Sequence, residues 1–145
     1  MQNQQSSQLL NLFFEGFSSD EKKQLEKLEE SSPGSILAQI KHWDWFATEV
    51  TEGYDDSIFE YLNDLDTRYL LQESLDKSVE PLKSKLIDRV KKIDQVFLSS
   101  TNETQSPISG YDFIPKNPQK YFWYYRVPKK ITKELSIDLD ESGRK

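Results

Sequence analysis

Cysteine is absent from the 145 residues, histidine occurs once and glycine only five times. The first absence excludes disulfides, thiolate metal sites and a cysteine nucleophile. A single histidine, His42, cannot supply the paired Glu-x-x-His motifs of a di-iron helical bundle. The few glycines form neither a Gly-x-Ser-x-Gly elbow nor a phosphate loop ending in Gly-Lys-Ser/Thr. No apolar run reaches the roughly 20 residues that span a bilayer, and the opening MQNQQSSQ carries no basic stretch, so a soluble, cytoplasmic chain without membrane attachment is expected.

Aromatic residues and charge are what the chain does have. Eighteen rings (7 Tyr, 8 Phe, 3 Trp) are too many for a disordered polymer, although 30% of residues are charged. The net charge of -6 is unevenly spread: residues 1–80 hold 17 acids and 6 bases, and residues 81–145 hold 8 acids and 13 bases. The expectation is that the cationic part folds back on the anionic part; the alternative is a basic end kept free for an anionic partner.

Periodicity divides the chain into helices. Residues 1–7 read as a flexible start and 8–145 as one helical domain, with Leu9 to Phe17 as a short apolar segment. Ser18 and Glu21 have the spacing of a capping box and open a charged helix to about Glu30. Ile36, Ile40, Trp43, Ala47 and Val50 recur at helical spacing up to Gly53. Ser57 can cap a third helix carrying Ile58, Leu62, Leu65 and Tyr69, and Pro81 suits the first turn of a fourth carrying Leu82, Leu86, Val90, Ile93 and Phe97. The fold class expected is mainly α, with four principal helices in an antiparallel, bundle-like arrangement.

Residues 99–120 contain three prolines and a glycine and read as a long loop. The aromatic, basic segment 121–139 follows and starts with YFWYYR, Tyr121 to Arg126. As a strand it would point Trp123 and Tyr125 one way and Phe122, Tyr124 and Arg126 the other. Leu135, Ile137 and Leu139 alternate with polar residues, giving a C-terminal hairpin; Ile131, Leu135 and Leu139 suit a helix equally well.

Helical projection places four carboxylates, Asp44, Asp66, Glu73 and Asp94, inside or beside apolar arcs. Asp66 and Glu73 fall between Leu62 and Phe59, on the side expected to face the core. An ionised carboxylate cannot be buried alone, so each must meet a cation, hydrogen-bond donors or a metal, or else sit at a rim. The cations available are Arg68, Arg89, Arg126 and nearby lysines. Arg126 is the favoured one: laid over the helices, the aromatic segment would deliver its guanidinium to Asp66, Glu73 or Asp94.

Three functions follow from these residues. The first is a non-catalytic acidic adaptor or inhibitor that binds a protein, with Trp45, Trp123, Tyr125, Lys129 and Lys130 as contact residues; Trp45 projects away from the apolar arc of its helix and is either exposed or covered by the N-terminal apolar segment. The second starts from Glu49-Val-Thr-Glu52 and Glu73-Ser-Leu-Asp76. These resemble the acid pairs on successive helices of all-helical nucleotide pyrophosphohydrolases, which implies Mg2+ held by Glu49, Glu52, Glu73 and Asp76. The third is single-stranded nucleic acid on the interleaved rings and bases of the C-terminal segment, against which the acidic remainder argues.

Overall fold

Local capping chemistry sets the helix boundaries. The computed structural model describes residues 15–31, 35–105, 107–108 and 117–131. Helix α1 is Ser19–Ser31, α2 is Ile36–Glu52, α3 is Ile58–Lys77 and α4 is Leu82–Ser99. Ahead of α1, the Ser18 N–H donates to Glu21 Oε1 at 2.7 Å and the Glu21 N–H donates to Ser18 Oγ at 3.1 Å, which closes the capping box. The hydroxyls of Ser35 and Ser57 accept from the Ala38 and Glu60 N–H groups at the starts of α2 and α3. Gly53 ends α2 at φ 122°, a conformation side chains rarely adopt, and donates its N–H to Glu49 O.

The helices alternate in direction. His42 meets Asp64 and Gln39 meets Ser74, so α2 and α3 are antiparallel. Glu21 meets Lys85 and Gln24 meets Leu82, so α1 runs against α4. Ile36, Ile40, Trp43, Ala47 and Val50 are all buried, as are Leu82, Leu86, Val90 and Phe97. Phe46 lies at the centre of the core, with its ring centroid 5.5 to 5.9 Å from those of Tyr54, Tyr61, Trp43 and Phe97. Offset and edge contacts at this separation add to what burial alone contributes. The fold is thus mainly α with a minor β component.

The aromatic segment departs from the expected strand. Phe122–Tyr125 form a 3-10 turn, and only Arg126–Pro128 is extended, as β2. A strand would turn every second ring to solvent, whereas the tighter turn buries Trp123 and Tyr124 and leaves Tyr121, Phe122 and Tyr125 half-buried. β2 pairs antiparallel with β1, Thr101–Glu103, with Glu103 opposite Arg126. The region expected to be loop from residue 99 therefore begins with two further residues of helix or turn and then a short strand. Beyond β2, Ile131 forms a parallel bridge with Tyr54. The N-terminal residues Leu9 to Phe14 and the hairpin expected over 135–139 lie outside the described residues.

Lys85 Nζ lies 2.8 Å from Glu21 Oε1 and 2.7 Å from Gly16 O, which fixes α1 to α4. The hydrogen bond from Lys85, with that from the Ser18 backbone, lowers the Glu21 carboxyl from its ordinary 4.5 to about 2. A carboxyl with a lowered folded-state pKa stabilises the fold above pH 4.5, and this contribution fades as pH falls towards 2. Urea denaturation at a series of pH values should show Glu21→Gln destabilised at pH 6 and converging on wild type near pH 2.

Candidate partner-binding surface

Two buried polar clusters decide which side chains are left for a surface. Asp94 on α4 is 5% exposed. Arg68 on α3 donates to it through Nε to Oδ1 and Nη2 to Oδ2, both at 3.0 Å, and Trp43 Nε1 donates to Oδ1 at 2.8 Å. The guanidinium carbon lies 4.5 Å from the Trp123 ring centroid and 5.8 Å from that of Trp43, between indoles from two distant parts of the chain. The third guanidinium nitrogen, Nη1, donates to Gln72 Oε1 at 3.1 Å.

This overturns the pairing of Asp94 with Arg126. Arg68 projects from α3 straight at α4, whereas Arg126 on β2 turns to the end of α4. There its Nη2 donates to Thr101 O at 2.8 Å and Leu98 O at 3.3 Å, and its Nε donates to Thr101 Oγ1 at 2.6 Å. Carbonyls past a helix C-terminus are natural acceptors for a cation. The aromatic segment does meet an acid, through a phenol: Tyr124 OH donates to Asp66 Oδ1 at 2.7 Å. Burial first, and the Asp66 carboxylate second, push the Tyr124 phenol well above its ordinary pKa. Glu73 lies in hydrogen-bonding reach of the Tyr69 phenol, and burial raises the Asp44 carboxyl.

The second cluster centres on Asp64, which sequence projection missed. It is 8% exposed and accepts from Tyr54 OH and His42 Nε2, each at 2.8 Å. Burial and this carboxylate raise the Tyr54 phenol strongly. Asp64, Arg68, Leu71 and Leu75 form a buried stripe at i, i+4, i+7 and i+11, and two charged members disguised it.

The remaining candidates separate clearly. Trp123 is fully buried and cannot contact a partner, which also removes it as a stacking platform for nucleic acid. Trp45 is half-buried against the core, its ring centroid 5.3 Å from that of His42. Tyr125 is half-buried; Lys129 and Lys130 are exposed, Lys130 packing beside Gly53. Glu49 and Glu52 lie at the end of α2 that adjoins the start of α3, while Glu73 and Asp76 lie roughly 20 Å further along α3. Asp76 is occupied by Lys120 Nζ at 2.9 Å and Gln72 Nε2 at 3.0 Å. The four acids of the magnesium reading are therefore not brought together, and among the described residues no three histidine or carboxylate groups converge on a metal site.

The expected stripe of α3 does face the core, with Leu62 and Leu65 buried and Ile58 and Tyr69 packed against it, but one edge of that stripe does not. Phe59, placed by projection at the edge of the core, is 68% exposed. Asp55, Asp56, Glu60 and Asn63 around it in sequence are exposed too. The inner face of α3 is set by Tyr61, Asp64, Leu65, Arg68 and Leu71, so residues on the opposite side must face solvent. An exposed phenylalanine in an acidic setting is the most distinctive surface feature described.

No protein-family model matches the chain, and no characterised protein or solved structure matches it significantly. No described helix is long and apolar enough to cross a membrane.

The Arg68–Asp94 pair has a measurable signature. Arg68→Met leaves a buried carboxylate without its cation, at a cost of about 3–5 kcal/mol. That lowers the melting temperature by roughly 10 °C in a chain of this size. In calorimetry, the double variant Arg68→Met/Asp94→Leu should melt above Arg68→Met alone.

Proposed function

We propose that this chain is a non-catalytic binding protein, a cytoplasmic adaptor or inhibitor, that meets a cationic protein surface through the outer face of α3. The observation that carries the reading is Phe59, 68% exposed beside Asp55, Asp56 and Glu60. Burying a phenylalanine side chain is worth about 1.5–3 kcal/mol, so leaving one in water forgoes stability that a partner's apolar socket can recover. Exposed carboxylates around it favour a socket rimmed by lysine or arginine and speed association with such a surface. Of the contact residues expected from sequence, Lys129, Lys130, Tyr125 and Trp45 retain some exposure but form no comparable anchor.

Two of the four described ion pairs support the same reading. Lys85–Glu21 and Lys120–Asp76 each join a base of the second part of the chain to an acid of the first. Bases of the second part are thereby drawn into internal pairing, while Asp55, Asp56 and Glu60 stay at the surface.

Phe59→Ala should leave thermal stability within about 0.5 kcal/mol of wild type, since the side chain is mostly in water. Affinity capture from the source cells should lose a specific protein with Phe59→Ala but keep it with Val96→Ala, a control at another exposed apolar residue. Retention should weaken as salt rises, because the rim charges are screened. Capture that is indifferent to Phe59 and to salt would remove this reading.

A further inference from the structure

Phe59 has a companion. Leu70, 41% exposed, lies eleven residues further along α3. Eleven residues are three turns, so the two side chains share a face and stand roughly 16 Å apart along the axis. Asn63 is exposed between them, and Asp66 and Glu73 lie half-buried along one edge. Asp55, Asp56 and Glu60 occupy the amino end. From Asp55 to Lys77 there are seven acids and two bases. Asp64 is buried against His42 and Tyr54, Asp76 is paired with Lys120 and Arg68 is buried against Asp94. That leaves Asp55, Asp56, Glu60, Asp66 and Glu73 with one base, Lys77, the last residue of α3.

We infer that the outer face of α3 receives a cationic amphipathic helix, which lies along α3 with apolar side chains over Phe59 and Leu70 and lysines or arginines beside the flanking acids. The inference rests on the proposed function and specifies its partner. Two apolar anchors on one straight ridge, separated by whole helical turns, match the repeat of a partner helix packing at a shallow angle. A peptide that binds by strand addition needs an open sheet edge, and the ridge of α3 has its backbone groups already paired within the helix. The charge selects among occupants. Anionic lipid and nucleic acid are repelled by this face. A second copy packed about a two-fold axis sets the same acidic stripe against itself, which disfavours pairing.

Selection of a displayed library of random twenty-residue segments against the full chain, with Phe59→Asp as counter-target, tests the inference. The expected survivors are rich in lysine or arginine with apolar residues at helical spacing. Bound to the chain, a synthetic survivor should become helical by NMR and shift amides within 58–73. Its affinity should fall about tenfold or more with Phe59→Ala, severalfold with Leu70→Ala, and also with added salt. Survivors that are acidic or extended, or that ignore Leu70, overturn the helix inference while leaving the Phe59 surface standing, as does an empty selection. If segments selected without the counter-target bind wild type and Phe59→Asp equally, the proposed function is overturned as well. Sedimentation equilibrium adds one more arm: a dimer dispersed by Phe59→Asp would show that a second copy covers this face, against the inference.

Discussion

The structure depends on keeping one buried anion company. A carboxylate inside the helices needs compensation, and Arg68 and Trp43 donate to Asp94 while the ring of Trp123 covers the Arg68 guanidinium. The requirement ties α2, α3, α4 and the 3-10 turn to a common geometry. Two parallel N–H to oxygen bonds fix the rotation of α3 about its own axis, since a guanidinium accepts little angular error. Once that rotation is set, Asp64 faces His42 and Tyr54, and the opposite side of the helix, with Phe59 and Leu70, must face water. The exposed ridge follows from the buried pair.

The C-terminal segment is held by polar groups as much as by its rings. Tyr61 OH donates to Arg126 O at 2.7 Å, Tyr124 OH reaches Asp66, and the N–H groups of Thr104 and Ile108 donate to the carbonyls of Tyr125 and Tyr124. Aromatic side chains with a hydroxyl can fill space and satisfy an acceptor together, which explains tyrosine's frequency where the segment crosses the helices.

Much of this was legible in the sequence, and the reasons differ by element. The helices declared themselves because their signals are local: the Ser18/Glu21 box, the Ser57 cap, the stop at Gly53 and the even spacing of Ile36 to Val50. The need for buried carboxylates to find partners was legible as well, but their choice was not. Nothing in spacing distinguishes Arg68 from Arg126 until the rotation of α3 is known. The buried stripe of Leu62 and Leu65 was read correctly, but its limits were misplaced, because a helix whose inner face includes an aspartate and an arginine has no clean apolar arc. Phe59 was placed at the edge of the core, and Asp64 was passed over, for this single reason. The aromatic cluster misled in another way: period-two alternation is meaningful when polar residues fill the outer positions, and YFWYYR has almost none.

The residues gathered around the Arg68–Asp94 pair are drawn from positions 43, 68 and 123, so the set spans some eighty residues of chain. During synthesis the amino-terminal helices leave the ribosome first, and Trp123 emerges only after all four helices. A chain that ends before that tryptophan has an Arg68 guanidinium with one of its two indole covers missing, so the polar centre of the fold is complete only when the last aromatic segment has been made.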